Sequence, residues 1–283
     1  MQNYLEYIVK SLQGIYSGPE LRSMSRILIE EVSGMQAALF LSDKSKQLNE
    51  QQEQRLEDIL ARLKKSEPLQ YVLGWTEFYG IPFVVDSRVL IPRPETEELV
   101  DWIAGDNDSG QIRLLDIGTG SGCIAVSLAK LLPQALVEAW DVSPDALAVA
   151  CHNAKENGVY VLFREVDVLV QQVADVNQKF NILVSNPPYV MNSEKKQMHG
   201  NVLDHEPHLA LFVEDSDPLL FYRRIAELGT SLLVVGGTLY FEINAAKGHD
   251  MVEMLQKMGY VDVRLKQDLS GKDRMIRAKW VDG

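Results

Sequence analysis

Cysteine is nearly absent from this sequence. Cys123 and Cys151 are the only two among 283 residues, too few for a disulfide framework or a cysteine-rich zinc site. Their apolar or small neighbours predict that both thiols are buried. No apolar run approaches the roughly 20 residues of a membrane-spanning helix, and the start Met1-Gln2-Asn3-Tyr4-Leu5-Glu6 lacks the basic residues of a secretory signal. A cytoplasmic protein without a membrane partner is the expectation. Positive charge is scarce as well: 28 Lys and Arg stand against 40 Asp and Glu, a net charge of -12. That balance repels a phosphate backbone at long range. A small molecule, or a neutral or basic protein, suits the chain better than naked nucleic acid, and no stable nucleic-acid partner is expected. The histidines, His152, His199, His205, His208 and His249, offer no convincing metal triad. His205 and His208 are close in sequence, but Pro207 between them interrupts a helical ligand face, so no metal is expected. Tandem repeats and low-complexity tracts are also missing.

What is present is enough apolar residue, 46%, for a sizeable core in one or two domains. Residues Asn3 to Leu63 read as helical: Tyr4, Ile8, Leu12 and Tyr16 recur every four residues, Leu21, Ile27, Leu28 and Val32 continue a helical face, and Glu50 to Leu63 makes a further helix. Pro68 is read as the end of that region. Phe78 to Val85 and Val89-Leu90-Ile91 are short aromatic or β-branched runs separated by turn residues, the pattern of a connecting hairpin. From about Glu95 helical and strand patterns alternate, as in an open, mostly parallel sheet covered by helices. The predicted strands are Ile112 to Ile117, Leu136 to Asp141, Val161 to Glu165, Phe180 to Ser185, Leu232 to Glu242, Val261 to Leu265 and Met275 to Trp280. They make a doubly wound, seven-stranded α/β domain with an antiparallel addition near its end. The expected organisation is a helical domain over 1–74, a β-hairpin linker over 75–94 and the α/β domain over 95–283.

Leu114-Leu115-Asp116-Ile117-Gly118-Thr119-Gly120-Ser121-Gly122-Cys123 runs a buried strand into a glycine turn and then a helix over Ile124 to Leu131. Glycines let the backbone approach a ligand, and a helix start offers unpaired N–H groups; a tight turn used only for packing would look similar. The next strand ends at Asp141, 25 residues after Asp116, where a carboxylate can accept two ribose hydroxyls. A dinucleotide site would place its third glycine at Cys123. The loop ending at Gly122 instead resembles the first motif of class I S-adenosylmethionine-dependent methyltransferases. In that resemblance Asp141 binds the ribose and Asp167, after the third strand, contacts the adenine amine, the alternative being a solvated loop carboxylate. Asp116 then orients the glycine loop or approaches the amino-acid end of the cofactor.

Asn186-Pro187-Pro188-Tyr189 follows the run Phe180 to Ser185 and so sits at a strand's carboxyl end, where ligands bind in such sheets. Proline restricts Asn186 and the two following φ angles. An amide NH2 is a poor nucleophile because its lone pair is conjugated. Accepting its two hydrogens on the Asn186 side-chain oxygen and a nearby backbone carbonyl, that of Pro187, would aim the nitrogen at a methyl donor. Tyr189 can stack on a planar substrate. A rigid proline turn capped by a buried tyrosine is the bland alternative, and the co-occurring glycine loop counts against it.

With both motifs in view the sequence resembles the HemK/PrmC family, the peptide chain release factor glutamine methyltransferases. The resemblance runs through Leu69-Gln70-Tyr71-Val72-Leu73-Gly74, Val89 to Glu97 with its Ile91-Pro92-Arg93-Pro94-Glu95-Thr96-Glu97, the Gly118 to Gly122 loop, Asp141-Val142-Ser143-Pro144, Asn186 to Tyr189 and Glu206-Pro207. It implies methyl transfer from S-adenosylmethionine, leaving S-adenosylhomocysteine, to the side-chain nitrogen of the glutamine in the Gly-Gly-Gln motif of bacterial class 1 release factors. It further implies cofactor contacts at Gly118, Thr119, Gly120, Ser121, Gly122, Asp141, Asp167, Val168 and Asn186, and a glutamine pocket completed by Pro187, Pro188 and Tyr189. Val168 departs from the family, which often has an aromatic residue there. Arg93 and Glu95 to Glu97 either close over the site or form a connector ion network, and Glu206 either caps the substrate pocket or is structural. Three other readings stay open: the same chemistry on a ribosomal-protein glutamine, methylation of a nucleic-acid adenine, which would need a basic groove for the flipped base, and a noncatalytic protein-binding module.

Overall fold

The computed structural model describes residues 3–43, 45–107, 111–170, 179–198 and 200–281. They form two compact units, the first reaching to Gly74 and including Gly200–His205, the second running from Trp75 onward.

The first unit is helical. Asn3 accepts the Glu6 N–H at the start of the helix Tyr4–Leu12, and the four-residue spacing buries Tyr4, Ile8 and Leu12 on one face. The spacing fails at Tyr16, because the helix ends at Leu12 and Gly14 follows at φ 88°; the Tyr16 hydroxyl donates instead to the Leu63 carbonyl at 2.9 Å. In the helix Gly18–Ser33, Leu21, Leu28 and Val32 are buried. Ile27, predicted on the same face, is 38% exposed, since one residue turns the helix by roughly 100°. Asn49 and Gln52 exchange backbone and side-chain bonds at 2.9 Å to start the helix Glu50–Leu63. Pro68 does not end the helical region: it precedes a further short helix, Leu69–Leu73, stopped by Gly74 at φ 84°. His205 lies within 3.3 Å of the Lys65 carbonyl. Each fully buried Leu or Ile of this core, such as Ile8, Leu12, Leu28 and Leu60, is worth about 1.5–3 kcal/mol of burial.

The second unit begins with a two-stranded hairpin, β1 (Trp75–Phe78) and β2 (Ile81–Val84). Tyr79 and Gly80, at φ 53° and 68°, make its two-residue turn, the twist that a hairpin favours. The predicted pairing of Phe78 to Val85 with Val89 to Ile91 is therefore corrected. Val89 and Ile91 are buried but lie in irregular chain. The remaining strands are β3 (Arg113–Ile117), β4 (Leu136–Asp141), β5 (Leu162–Glu165), β6 (Phe180–Ser185), the short β7 (Val190–Met191) and β8 (Phe212–Val213), β9 (Leu233–Glu242), β10 (Val261–Gln267) and β11 (Asp273–Lys279). Seven of them form one sheet in the order β10-β11-β9-β6-β3-β4-β5. β3, β4, β5, β6 and β9 run parallel, and β11 and β10 join antiparallel at one edge. This is the doubly wound, mostly parallel seven-stranded sheet with an antiparallel edge that the alternating sequence pattern predicts.

Alternation along the strands builds a core on each face. Leu114, Ile182, Val184 and Tyr240 face one layer with the hairpin residues Phe78 and Phe83. Leu115, Ile117, Leu183 and Phe241 face the other, with Tyr222 and Ile225 of the helix Leu220–Leu232. Cys123 is partly buried, but Cys151 is exposed, against expectation. It follows the fully buried Ala150 in the helix Pro144–Glu156, so it is turned off the inward face. Among the described residues no helix is long and apolar enough to cross a membrane.

Candidate active site

β3 neighbours both β4 and β6, and the winding reverses there, so the crevice opens at the carboxyl ends of these strands. A cavity of about 160 Å³ lies in it, lined by Gly118, Gly120, Asp141, Asp167, Val168, Asn186, Pro187 and Pro188, with Val89, Leu90, Pro207 and Leu209 among its walls. Its lining is largely apolar with a few polar groups, as small-molecule sites are.

The glycine loop forms because three of its positions need left-handed backbone: Gly118, Gly120 and Gly122 have φ of 72°, 54° and 81°. The Gly118 and Thr119 N–H groups both donate to the Trp140 carbonyl, at 2.8 and 3.0 Å. No heavy atom lies within 4 Å of a Cβ built at Gly118 or Gly120, whereas one at Gly122 would meet Ala150 Cβ at 3.1 Å. The first two glycines thus leave room on the cavity side, and the third lets the following helix Cys123–Leu131 pack on its neighbour. Thr119 and Ser121 turn inward. Thr119 Oγ1 donates to Asp116 Oδ2 at 2.6 Å, and the Ser121 carbonyl accepts from Asn153 Nδ2 at 2.9 Å. Asp116 is fully buried and its Oδ1 has no hydrogen-bond partner among the described residues. Burial, with the Asp141 charge adding to it, pushes its carboxyl up to about 7.

Asp141 accepts the Gly120 N–H on Oδ2 and the Ser143 N–H on Oδ1, each at 2.9 Å. Burial raises its pKa while these backbone donors oppose the rise. Asp167 accepts the Leu169 N–H at 2.9 Å, and the Val168 carbonyl takes Arg224 Nε at 2.9 Å. Val168 offers the cavity an aliphatic wall.

Asn186 sits at the end of β6, where Ser185 Oγ donates to the Ile117 carbonyl at 2.7 Å and ties the two strand ends together. Its Nδ2 donates to Thr96 Oγ1 at 3.4 Å. Thr96 Oγ1 in turn donates to Glu242 Oε2 at 2.5 Å, and the Tyr189 hydroxyl donates to Glu242 Oε1 at 3.1 Å. Tyr189 packs against the core with its carbonyl held by Asn244 Nδ2 at 3.2 Å. Burial raises the Glu242 carboxyl, and the Thr96 and Tyr189 bonds oppose it.

The crevice therefore gathers Gly118, Gly120, Asp141, Asp167, Val168 and Asn186 to Pro188 around one space. Thr119, Ser121, Gly122 and Tyr189 support that space without lining it. Arg93 pairs with the buried Glu206 at 2.6 Å, and Glu206 also accepts the Ile91 N–H at 3.3 Å, which anchors the segment carrying Val89 and Leu90. Thr96 falls within the Glu95 to Glu97 stretch, but its bond to Asn186 has no signal in the sequence, and Asn153 and Glu242 carry no functional reading in the sequence. The one available signal was an acidic residue at the carboxyl end of an apolar strand, which Glu242 shares with Asp141. Among the described residues no group of three or more His, Cys, Asp or Glu is placed to hold a metal ion; His199 lies outside them.

A doubly wound sheet with a glycine loop after its first parallel strand and a carboxylate after the second defines a class I methyltransferase fold. A methyltransferase from Pyrococcus furiosus matches 83% of this chain and 100% of its own, with a TM-score of 0.54 at 15% identity, a likeness of fold alone. The profile of the methyltransferase small domain matches residues 96–208 and that of the PrmC N-terminal domain matches residues 3–74. The chain is 51% identical over 280 residues to a release factor glutamine methyltransferase of Bacteroides thetaiotaomicron, covering 98% of this chain and 99% of that one. It is 48% identical over 284 residues to one of Flavobacterium psychrophilum, covering 99% of both. The chain belongs to the release factor glutamine methyltransferase family.

Proposed function

We propose that this protein transfers a methyl group from S-adenosylmethionine to the side-chain amide nitrogen of the Gly-Gly-Gln glutamine of bacterial class 1 release factors. The observation that carries the reading is Asn186: its Nδ2 edge is spent on Thr96, its Oδ1 takes no bond among the described residues, and it lines the same cavity as Asp141 and the glycine loop.

The residues present fit the cofactor. Gly118 and Gly120 leave backbone uncovered, Asp141 keeps a lone pair on each oxygen for ribose hydroxyls, and Asp167 with Val168 borders the same space as an adenine pocket. When bound, S-adenosylmethionine supplies an electrophilic methyl on a positively charged sulfur. Asn186 Oδ1 and the Pro187 carbonyl then accept the two amide hydrogens of the glutamine, orienting its nitrogen and stabilising the positive charge that grows on it as the new N–C bond forms. No ionised base is needed at that nitrogen, because the acidified N–H can pass to water once transfer is complete. Residues 1–74 are assigned to recognition of the release factor, consistent with the match to the PrmC N-terminal domain over 3–74.

The test is mass-resolved methyl transfer to a purified class 1 release factor beside a copy whose Gly-Gly-Gln glutamine is replaced. A gain of one methyl, about 14 Da, on the intact motif alone is expected. Transfer to both copies, or to neither when the cofactor is bound, overturns the assignment.

A further inference from the structure

Glu242 lies at the carboxyl end of β9, 1% exposed, and is separated from Thr96 by 146 positions in the chain. Nothing in the proposed transfer uses it, yet both its oxygens are engaged by hydroxyls, Thr96 Oγ1 at 2.5 Å and Tyr189 Oη at 3.1 Å. A carboxylate only accepts, so the Thr96 hydroxyl proton is committed to it. Thr96 Oγ1 can then only accept from Asn186, and the amide must present Nδ2 to Thr96 and Oδ1 to the opposite side. Burial raises the Glu242 carboxyl, and the two hydroxyl bonds, with the Arg274 guanidinium beside them, hold against that rise in favour of the accepting, ionised form.

We propose that Glu242 and Thr96 are positioning residues that set the polarity of the Asn186 amide through a directed hydrogen-bond chain. The inference rests on Asn186 receiving the substrate amide, as proposed above. An asparagine amide is nearly symmetric in shape, so packing alone barely distinguishes its two orientations; only hydrogen bonding does. Flipped, Asn186 would offer N–H donors to a substrate NH2 that is itself a donor, and the two would repel. The chain Glu242–Thr96–Asn186 removes that orientation before substrate arrives, which is preorganisation without contact to the reacting atoms.

Thr96→Val removes the hydroxyl at nearly constant volume, and Thr96→Ser restores it. In the full-length protein Thr96→Val is expected to lower kcat about tenfold, while the dissociation constants for S-adenosylmethionine and the release factor change less than about twofold. Thr96→Ser is expected to return kcat to within about twofold of wild type. Glu242→Gln is expected to lower kcat in the wild-type background and to add little once Thr96 is Val, because the two act through one chain. Independently of turnover, the Asn186 side-chain NH2 pair in the 1H–15N spectrum of the free protein, assigned by its loss in Asn186→Ala, is expected to exchange faster with water in Thr96→Val and at the wild-type rate in Thr96→Ser. A wild-type kcat in Thr96→Val, additive losses in the double variant, or an unchanged amide signal overturns the chain. If the wild-type protein methylates no release factor, the function assignment fails, and the amide signal still decides the orientation claim by itself.

Discussion

Asp141 Oδ2 accepts the Gly120 N–H at 2.9 Å. One carboxylate thereby joins the end of β4 to the middle of the glycine loop, and with Oδ1 on the Ser143 N–H it also shapes the entry to the next helix. Two jobs converge on it: holding the loop open and facing the cavity with its remaining lone pairs. Asp141→Ala is expected to weaken S-adenosylmethionine binding at least about tenfold, the scale of one or two hydrogen bonds to a charged group. Isothermal titration calorimetry measures this directly, and an unchanged dissociation constant rejects the ribose role.

Asn186→Ala separates positioning from folding. Asn186 is only partly buried and its one side-chain bond, to Thr96 at 3.4 Å, is long, so urea unfolding is expected to shift by no more than about 1 kcal/mol. Loss of a preorganised group at the reacting centre is expected to reduce single-turnover transfer by about 100-fold or more. Rapid-quench kinetics at saturating substrate reads that step, and wild-type turnover would sink the mechanism.

Much of the fold was legible because burial writes itself into the sequence. β4 and β6 have the predicted bounds, Leu136–Asp141 and Phe180–Ser185, each with consecutive central residues buried on both faces. β10 extends to Gln267, beyond the predicted Leu265, because it is an edge strand with most residues exposed, and Lys266 and Gln267 carry no apolar signal. The hairpin departs from its sequence pattern for the converse reason. Val89 and Ile91 are apolar since they are buried, not paired, while Trp75-Thr76-Glu77 pairs through backbone bonds that leave its side chains largely exposed or half-buried. At the site, the glycine loop, Asp141 and Asn186 were visible as local motifs. Asn153 and Glu242 were not, and Thr96, though inside the Ile91 to Glu97 motif, gave no sign of its partner, since the meaning of all three lies in contacts far away in sequence: Asn153 holds Val84 and Ser121, and no local pattern records that.

Gly118 and Gly122 have similar positive φ, 72° and 81°, but different surroundings. Alanine at either would occupy left-handed backbone, costing about 1–2 kcal/mol. Only at Gly122 would the new methyl press on Ala150, with Cβ at 3.1 Å and Cα at 3.3 Å. Gly122→Ala is therefore expected to lose about 1–2 kcal/mol more stability than Gly118→Ala, in line with overpacking of a well-filled contact. Paired urea titrations compare the two; equal losses would remove the packing role assigned to Gly122.

Asp116 links the glycine loop to pH. Burial pushes its carboxyl from an ordinary 3.8 up to about 7 in the folded protein, so the native state holds a proton that the unfolded chain has already released. Below the unfolded value both states are protonated, and the stabilisation from this tighter proton binding is fully present. Between about 4 and about 7 it declines as pH rises, and above that range both states are ionised and it is gone. Asp116→Asn, which keeps an acceptor for Thr96 Oγ1 but cannot titrate, lacks this decline. Glu242 also has a raised value but is present in both proteins and cancels in the difference; Asp141, whose charge adds to the Asp116 shift, titrates with it, so the difference reads the pair. The stability of wild type minus that of Asp116→Asn, from urea unfolding at intervals from pH 4 to 8.5, is expected to fall up to about pH 7 and then level. A difference that is flat throughout would mean that Asp116 titrates alike in both states, and that its unpartnered Oδ1 is solvated rather than buried.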